Sequence, residues 1–214
     1  MHGILKAKMI SETKNRILSA ARDQFYHYGV KRITMDDIAR TTGMSKKTIY
    51  QEYADKNALL IDLITCDLSN HTQQIQLIEK SSLNAVDEIV QTMKFMSETF
   101  SHINPVMFYD LQRYYGEAWK HYENFKSQCV ADTVHKNLLR GIQEEYYRSD
   151  INVKILTQLR VLEMDLALNP EFYQQHKFDF IKVQLELIRH FLYGIATLKG
   201  HKLITKMLSI KEKD

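Results

Sequence analysis

Residues 29–59 read GVKRITMDDIARTTGMSKKTIYQEYADKNAL, and the order of caps, breakers and apolar positions within them sets the fold. Thr34 stands where a helix N-cap belongs, with its hydroxyl placed to accept a backbone N–H three residues on. Asp37 occupies the third helical position of a capping-box variant. Ile38 and Ala39 give this helix a buried face, and the turn Thr42-Gly43-Met44 closes it, with glycine permitting a positive φ. Ser45 caps a second short helix that runs to about Tyr53 and buries Ile49. Asp55 then caps a long helix. Two short helices about a tight turn, the first carrying a small residue at Ala39 for close approach, have helix-turn-helix spacing.

Upstream, residues 11–28 place Ile17, Leu18, Ala21, Phe25 and Tyr28 on one stripe at helical spacing, and Gly29 sits at the left-handed C-terminal cap. The second short helix turns Ser45, Lys46, Lys47, Thr48 and Tyr50 outward, residue types suited to phosphates and base edges, with its unpaired N–H groups leading. Charge agrees with this placement. Residues 1–56 hold eleven Lys and Arg against six Asp and Glu, a net +5, and the remaining 18 and 20 give −2. The positive end of the chain suits a polyanion.

About a dozen spaced positions in this region resemble the head of the TetR family of transcription regulators: Gly29, Thr34, Ile38-Ala39, Gly43, Ser45, Thr48-Ile49-Tyr50, Tyr53, Lys56 and Leu59. The resemblance covers roughly residues 11–62. It implies a recognition helix and its approach over Met44 to Tyr50, with Lys46 and Lys47 as candidates for base edges. Thr34, Ser45, Thr48, Tyr50, Tyr53 and Lys56 would contact or position the phosphate backbone, assisted by Arg32. Tyr53 has a second reading as a core aromatic. By the same resemblance the chain is expected to be a one-component repressor, binding double-stranded palindromic operator DNA as a homodimer and answering to a small-molecule effector.

Beyond the head, helices are expected at roughly 55–79, 83–103, 105–115, 117–148, 152–168 and 178–198, with a further turn or two in 202–213. Pro105 suits a first-turn position and Asn169-Pro170 a loop. The expected fold is all-α, about nine helices. A DNA-binding domain over 1–56 precedes a ligand-sensing and dimerisation domain over 57–214. Residues 100–125 are unusually aromatic, and Phe100, Phe108, Tyr109, Arg113, Trp119 and Tyr122 are candidates to line an effector pocket. The last helix pair is the candidate dimer interface: Ile155, Leu156, Leu159 and Leu162, with the stripe Ile181, Leu185, Ile188, Leu192 and Ile195. A second apolar stripe on 178–198 would face the core. The run Glu144-Glu145-Tyr146-Tyr147 reads as a solvated helix end.

Other function classes find little support. The nine histidines show no ligand spacing, and there is no H-E-x-x-H, Gly-rich phosphate loop or G-x-S-x-G elbow. No catalytic residue, metal or cofactor is therefore expected. Cys66 and Cys129 form no C-x-x-C pair and read as small buried residues. The N-terminus, with Lys6 and Lys8, lacks the apolar run of a signal peptide, and no stretch has the ~20 apolar residues of a membrane span. A cytoplasmic protein with no membrane partner is expected.

Overall fold

The computed structural model describes residues 12–168 and 178–211, so the Asn169-Pro170 loop and the N-terminal Lys6 and Lys8 lie outside the described residues. Four helices open the chain: α1 (Glu12–Tyr28), α2 (Met35–Thr42), α3 (Lys46–Glu52) and the long α4 (Lys56–Ser81). There follow α5 (Ala85–Phe100), α6 (Val106–Tyr114), α7 (Gly116–Asn124), a π-helical segment (Phe125–Val130) and α8 (Ala131–Gln143). The last three are α9 (Val153–Leu168), α10 (Phe180–Ile195) and α11 (Leu198–Lys211), the last longer than the sequence suggested. Among the described residues the only extended pairing is one isolated bridge between Tyr147 and Ala196. No helix there is long and apolar enough to cross a membrane.

The caps hold as read. The Thr34 side chain accepts from Asp37 N (3.2 Å), and Asp37 accepts in return from Thr34 N (2.9 Å), which completes the capping box. Ser45 accepts from Thr48 N and Asp55 from Ala58 N. Gly43 adopts φ +66°. Gly29 adopts φ +83°, and a Cβ there would meet Asp110 and Val106 of α6 at 3.0 Å, so two separate constraints call for glycine.

Two apolar cores result. The first joins α1–α4 (Ile17, Phe25, Ile38, Ile49, Leu59, Leu63) to Ile103, to α6 and α7 and to Phe180 of α10. The second joins α5, α8, α10 and α11 around Val86, Leu138, Tyr147, Leu192 and Ile204. Tyr147, expected in a solvated helix end, is instead fully buried. Its hydroxyl lies 3.1 Å from both Ala85 O and Asn137 Oδ1. The chain can bring it inward because α8 stops at Gln143 and Glu145 takes φ +63°, which reverses the backbone. Tyr28, assigned to the buried stripe of α1, is exposed as the last residue of the helix. Cys66 and Cys129 are free and partly buried.

Candidate DNA interface and buried cavity

The head presents α3 outward. Lys46, Lys47 and Tyr50 are exposed, and Ile49 on the opposite face is buried. The Lys46 ammonium lies 2.6 Å from Asp36, so its charge is partly compensated. Arg32 and Thr34 are exposed at the entry to α2, Ser45 is exposed at the start of α3, and Met44 and Thr48 are half-buried beside it.

Two residues assigned to phosphate contacts have other duties. Tyr53 is only 4% exposed, and its hydroxyl donates to Asp62 of α4 (2.7 Å), so its ring belongs to the core that holds α3 against α4. The Lys56 ammonium donates to Val30 O (2.9 Å) and Ile33 O (2.8 Å) and lies 5.4 Å from the Tyr115 ring centroid. It closes the α1–α2 loop onto α4. Spacing along the sequence did not reveal these ties, because both depend on how α4 returns past the head.

A cavity of about 170 Å³ lies between the two cores, bounded by α1, α4–α10 and the π-helical segment. Its walls are mostly apolar. Of the six residues expected to line it, Phe100, Phe108 and Tyr122 do so. Tyr109 and Arg113 do not: α6 turns Met107, Phe108 and Leu111 inward, so the next-face pair one turn apart is exposed. Trp119 packs on Tyr122, ring centroids 4.9 Å apart, but stands behind the wall.

The polar residues of the wall escaped sequence reading. Asp67 of α4 takes a bidentate pair from Arg22 Nε (3.1 Å to each oxygen) and a hydrogen bond from Tyr26, both on α1. That bond holds the Arg22 guanidinium pKa up, and burial with the adjacent carboxylate raises the Tyr26 phenol far above its ordinary value. His71 sits edge-on to Phe95 and Phe100, where burial lowers its pKa. Glu88 pairs with Arg140 and Arg160 with Glu163. Gln184 also lines the cavity. Its position was a readable signal: it is a polar residue one turn from both Phe180 and Ile188 on the inner face of α10.

The outer surface divides the residues expected at the dimer interface between exposed and buried. On α10, Ile188, Leu192 and Ile195 are buried within the chain's own cores and cavity wall, and Ile181 and Leu185 are half-buried. Leu156 packs against the second core. Helix α9 is patterned inside out. It buries Thr157 and Arg160 and exposes Ile155 (63%), Leu159 (45%), Leu162 (61%) and Leu166 (45%) at i, i+4, i+7, i+11. Two apolar faces on α10 show that it is surrounded, but only the structure shows which face is covered by its own chain.

A capped helix-turn-helix carried on an all-helical body defines a DNA-binding transcription regulator. Residues 17–63 match the family of bacterial regulatory proteins called tetR. Over 165 residues, 76% of this chain and 85% of the relative, it is 23% identical to an uncharacterized HTH-type transcriptional regulator, YvaF, of Bacillus subtilis (strain 168). The fold is similar to that of a TetR-family transcriptional regulator from Agrobacterium tumefaciens (TM-score 0.71, 14% identity, 86% of this chain and 98% of that one). It is also similar to that of the regulator FadR from Bacillus subtilis in complex with stearoyl-CoA (TM-score 0.61, 16% identity, 85% and 98%). Residues 17–63 are thus a tetR-family DNA-binding region, carried on a body with the fold seen in TetR-family regulators.

Proposed function

We propose that the protein is a homodimeric repressor of the bacterial cytoplasm that binds a palindromic operator through α3 and leaves it when a small molecule occupies the cavity. Residues 1–56 serve as the DNA-binding part, and residues 57–214 sense and dimerise. The observation that carries this reading is the shared role of α4. Its first turns belong to the head's core through Leu59 and Leu63, and its later turns give the cavity Asp67, Leu68, His71 and Ile75. An occupant that displaces α4 moves the head. In a two-fold dimer this changes the spacing of the two recognition helices, which must enter successive major grooves together. FadR, in complex with stearoyl-CoA, offers a precedent for a small molecule on this fold.

The exposed stripe of α9 supports self-association, because four large apolar side chains in a row one turn apart suit a helix–helix seam between two copies. Arg32, Thr34, Ser45, Lys46, Lys47, Thr48 and Tyr50 are the proposed DNA contacts, and Met44 positions the approach.

Fluorescence anisotropy on DNA from the upstream intergenic region, with random competitor and a salt series, tests the reading. The expected result is palindrome-dependent binding with a steep salt slope, lost in Leu159→Lys together with the dimer in sedimentation. Equal affinity for palindrome and competitor, or full operator binding by a monomeric Leu159→Lys, refutes it.

A further inference from the structure

We infer that the cavity selects an uncharged, mainly apolar molecule carrying a hydroxyl, or another group that both donates and accepts a hydrogen bond, between two apolar arms. The inference rests on the reading of the cavity as an effector site and adds the chemistry of the effector.

Charge comes first. The ionised residues of the wall are Asp67, Glu88 and Arg160, and each is matched by a direct counter-ion: Arg22, Arg140 and Glu163 respectively. His71 sits edge-on to two phenylalanine rings, where burial disfavours its charged form. The wall therefore offers no uncompensated charge. An anion brought beside Arg160 would also approach Glu163, and a charge desolvated there without a partner is strongly disfavoured.

One polar group is left over. Gln184 is 3% exposed. Its Nε2 donates to Met164 O (3.3 Å), and its Oε1 is buried with no hydrogen-bond partner. Such a buried acceptor calls for a donor. Arg160 is four residues from Met164 on α9, so its guanidinium is on the same helix face. It is 8% exposed and donates through Nη1 to Glu163 (3.2 Å), leaving further N–H groups. Both residues line the cavity, so its wall carries an unpartnered acceptor on α10 and a donor on α9. A hydroxyl satisfies both, by donating to Gln184 and accepting from Arg160. A ketone or ether serves only the second.

Position sets the shape. One turn before Gln184 on α10, Phe180 packs on Phe108, within the lobe formed with Phe100 and Met107. One turn after it stands Ile188, leading to the lobe of Phe191 and Leu138. Gln184 thus stands between apolar wall residues one turn to either side along α10, so the polar group belongs within the ligand's skeleton and not at its end.

The test uses full-length protein and three probes of equal carbon number: a mid-chain dodecanol, the corresponding mid-chain ketone and dodecanoate. Calorimetric titration is expected to show the alcohol binding about tenfold tighter than the ketone, the cost of leaving Gln184 Oε1 unpaired. Dodecanoate should bind about a hundredfold more weakly than the alcohol. Gln184→Leu should abolish the preference of alcohol over ketone. Equal binding of alcohol and ketone, tighter binding of dodecanoate, or an unchanged preference in Gln184→Leu overturns the inference. An uncharged apolar dye, titrated into wild type and into Met96→Trp, which fills the cavity, separates the two levels. If the dye binds wild type alone, the cavity stands as an effector site even where the head-group prediction fails. If it binds neither, both readings fall.

Discussion

Replacing Lys56 by Met keeps the length of the stem and removes only the ammonium, which separates structural from DNA-contacting duty at this position. In the structure the ammonium donates two hydrogen bonds, 2.9 Å to Val30 O and 2.8 Å to Ile33 O. A hydrogen bond from a charged group contributes about 1.5–3 kcal/mol. The site is half-buried, so water can recover part of the loss, and the net destabilisation should be about 2–3 kcal/mol. A phosphate contact makes a different demand: each one lost flattens the plot of log affinity against log salt by about 0.9. Urea unfolding and a salt series on operator DNA read the two quantities independently. The expected result for Lys56→Met is a lower urea midpoint with an unchanged slope. An unchanged midpoint with a slope flattened by about 0.9 per protomer would refute the assignment of this lysine to the α1–α2 loop.

Lys47→Ala should give the opposite pattern: stability unchanged, the salt slope flattened by about 0.9 per protomer, and operator selectivity over random DNA reduced. Asp67→Asn should destabilise the protein by about 2 kcal/mol, because it removes the partner of a part-buried Arg22, and equilibrium unfolding with Arg22→Leu as the comparison would measure it. His71 is held below its ordinary pKa by burial, opposed by Asp67 and reinforced by Arg22, so the folded protein binds fewer protons there than the unfolded chain. Its contribution is therefore complete above about pH 6.5 and lost as pH falls, and the stability difference between wild type and His71→Phe should shrink or reverse from pH 7.5 to 5. Gly141→Ala would push a Cβ into the Tyr147 ring and should lower stability by about 1–3 kcal/mol in thermal or urea unfolding.

The parts of this protein governed by near neighbours in sequence were legible in it. Thr34, Gly43, Ser45 and Asp55 act on backbone groups within four residues, so cap chemistry located α2, α3 and the start of α4. Phe100, Phe108 and Tyr122 were found because aromatic density marks a large apolar space. Tyr109 and Arg113 were misplaced because density does not say which face of a short helix turns inward. The apolar residues around α10 told that it was surrounded, and its own chain covers Ile188, Leu192 and Ile195. On α9, Ile155, Leu159 and Leu162, expected at the interface from the sequence, point out with Leu166, whereas polar Thr157 and Arg160 point in. The inward Arg160 has meaning only once a cavity with a few polar residues in its wall is known to lie on the inner side.

The cavity and the head meet at both ends of α1's second half. Asp67 belongs to the cavity wall and, from α4, holds Arg22 and Tyr26. Helix α6 gives the wall Met107, Phe108 and Leu111, while its Asp110 is turned to accept from Lys31 N (2.7 Å) just past α1. Asn104, before α6, donates to Tyr26 O (2.7 Å) and, through Nδ2, to His27 O (3.2 Å). Under the proposed effector response, a molecule seated between α4 and α6 would press on two elements that hold the same short stretch, residues 22–31. Since α4 and α6 are tied to this stretch by directional polar contacts and by a glycine that admits no Cβ, the proposed response would proceed by breaking those contacts. That is the condition for a two-state response. The shift in population is then limited by how much better the ligand fits the state in which those contacts are open.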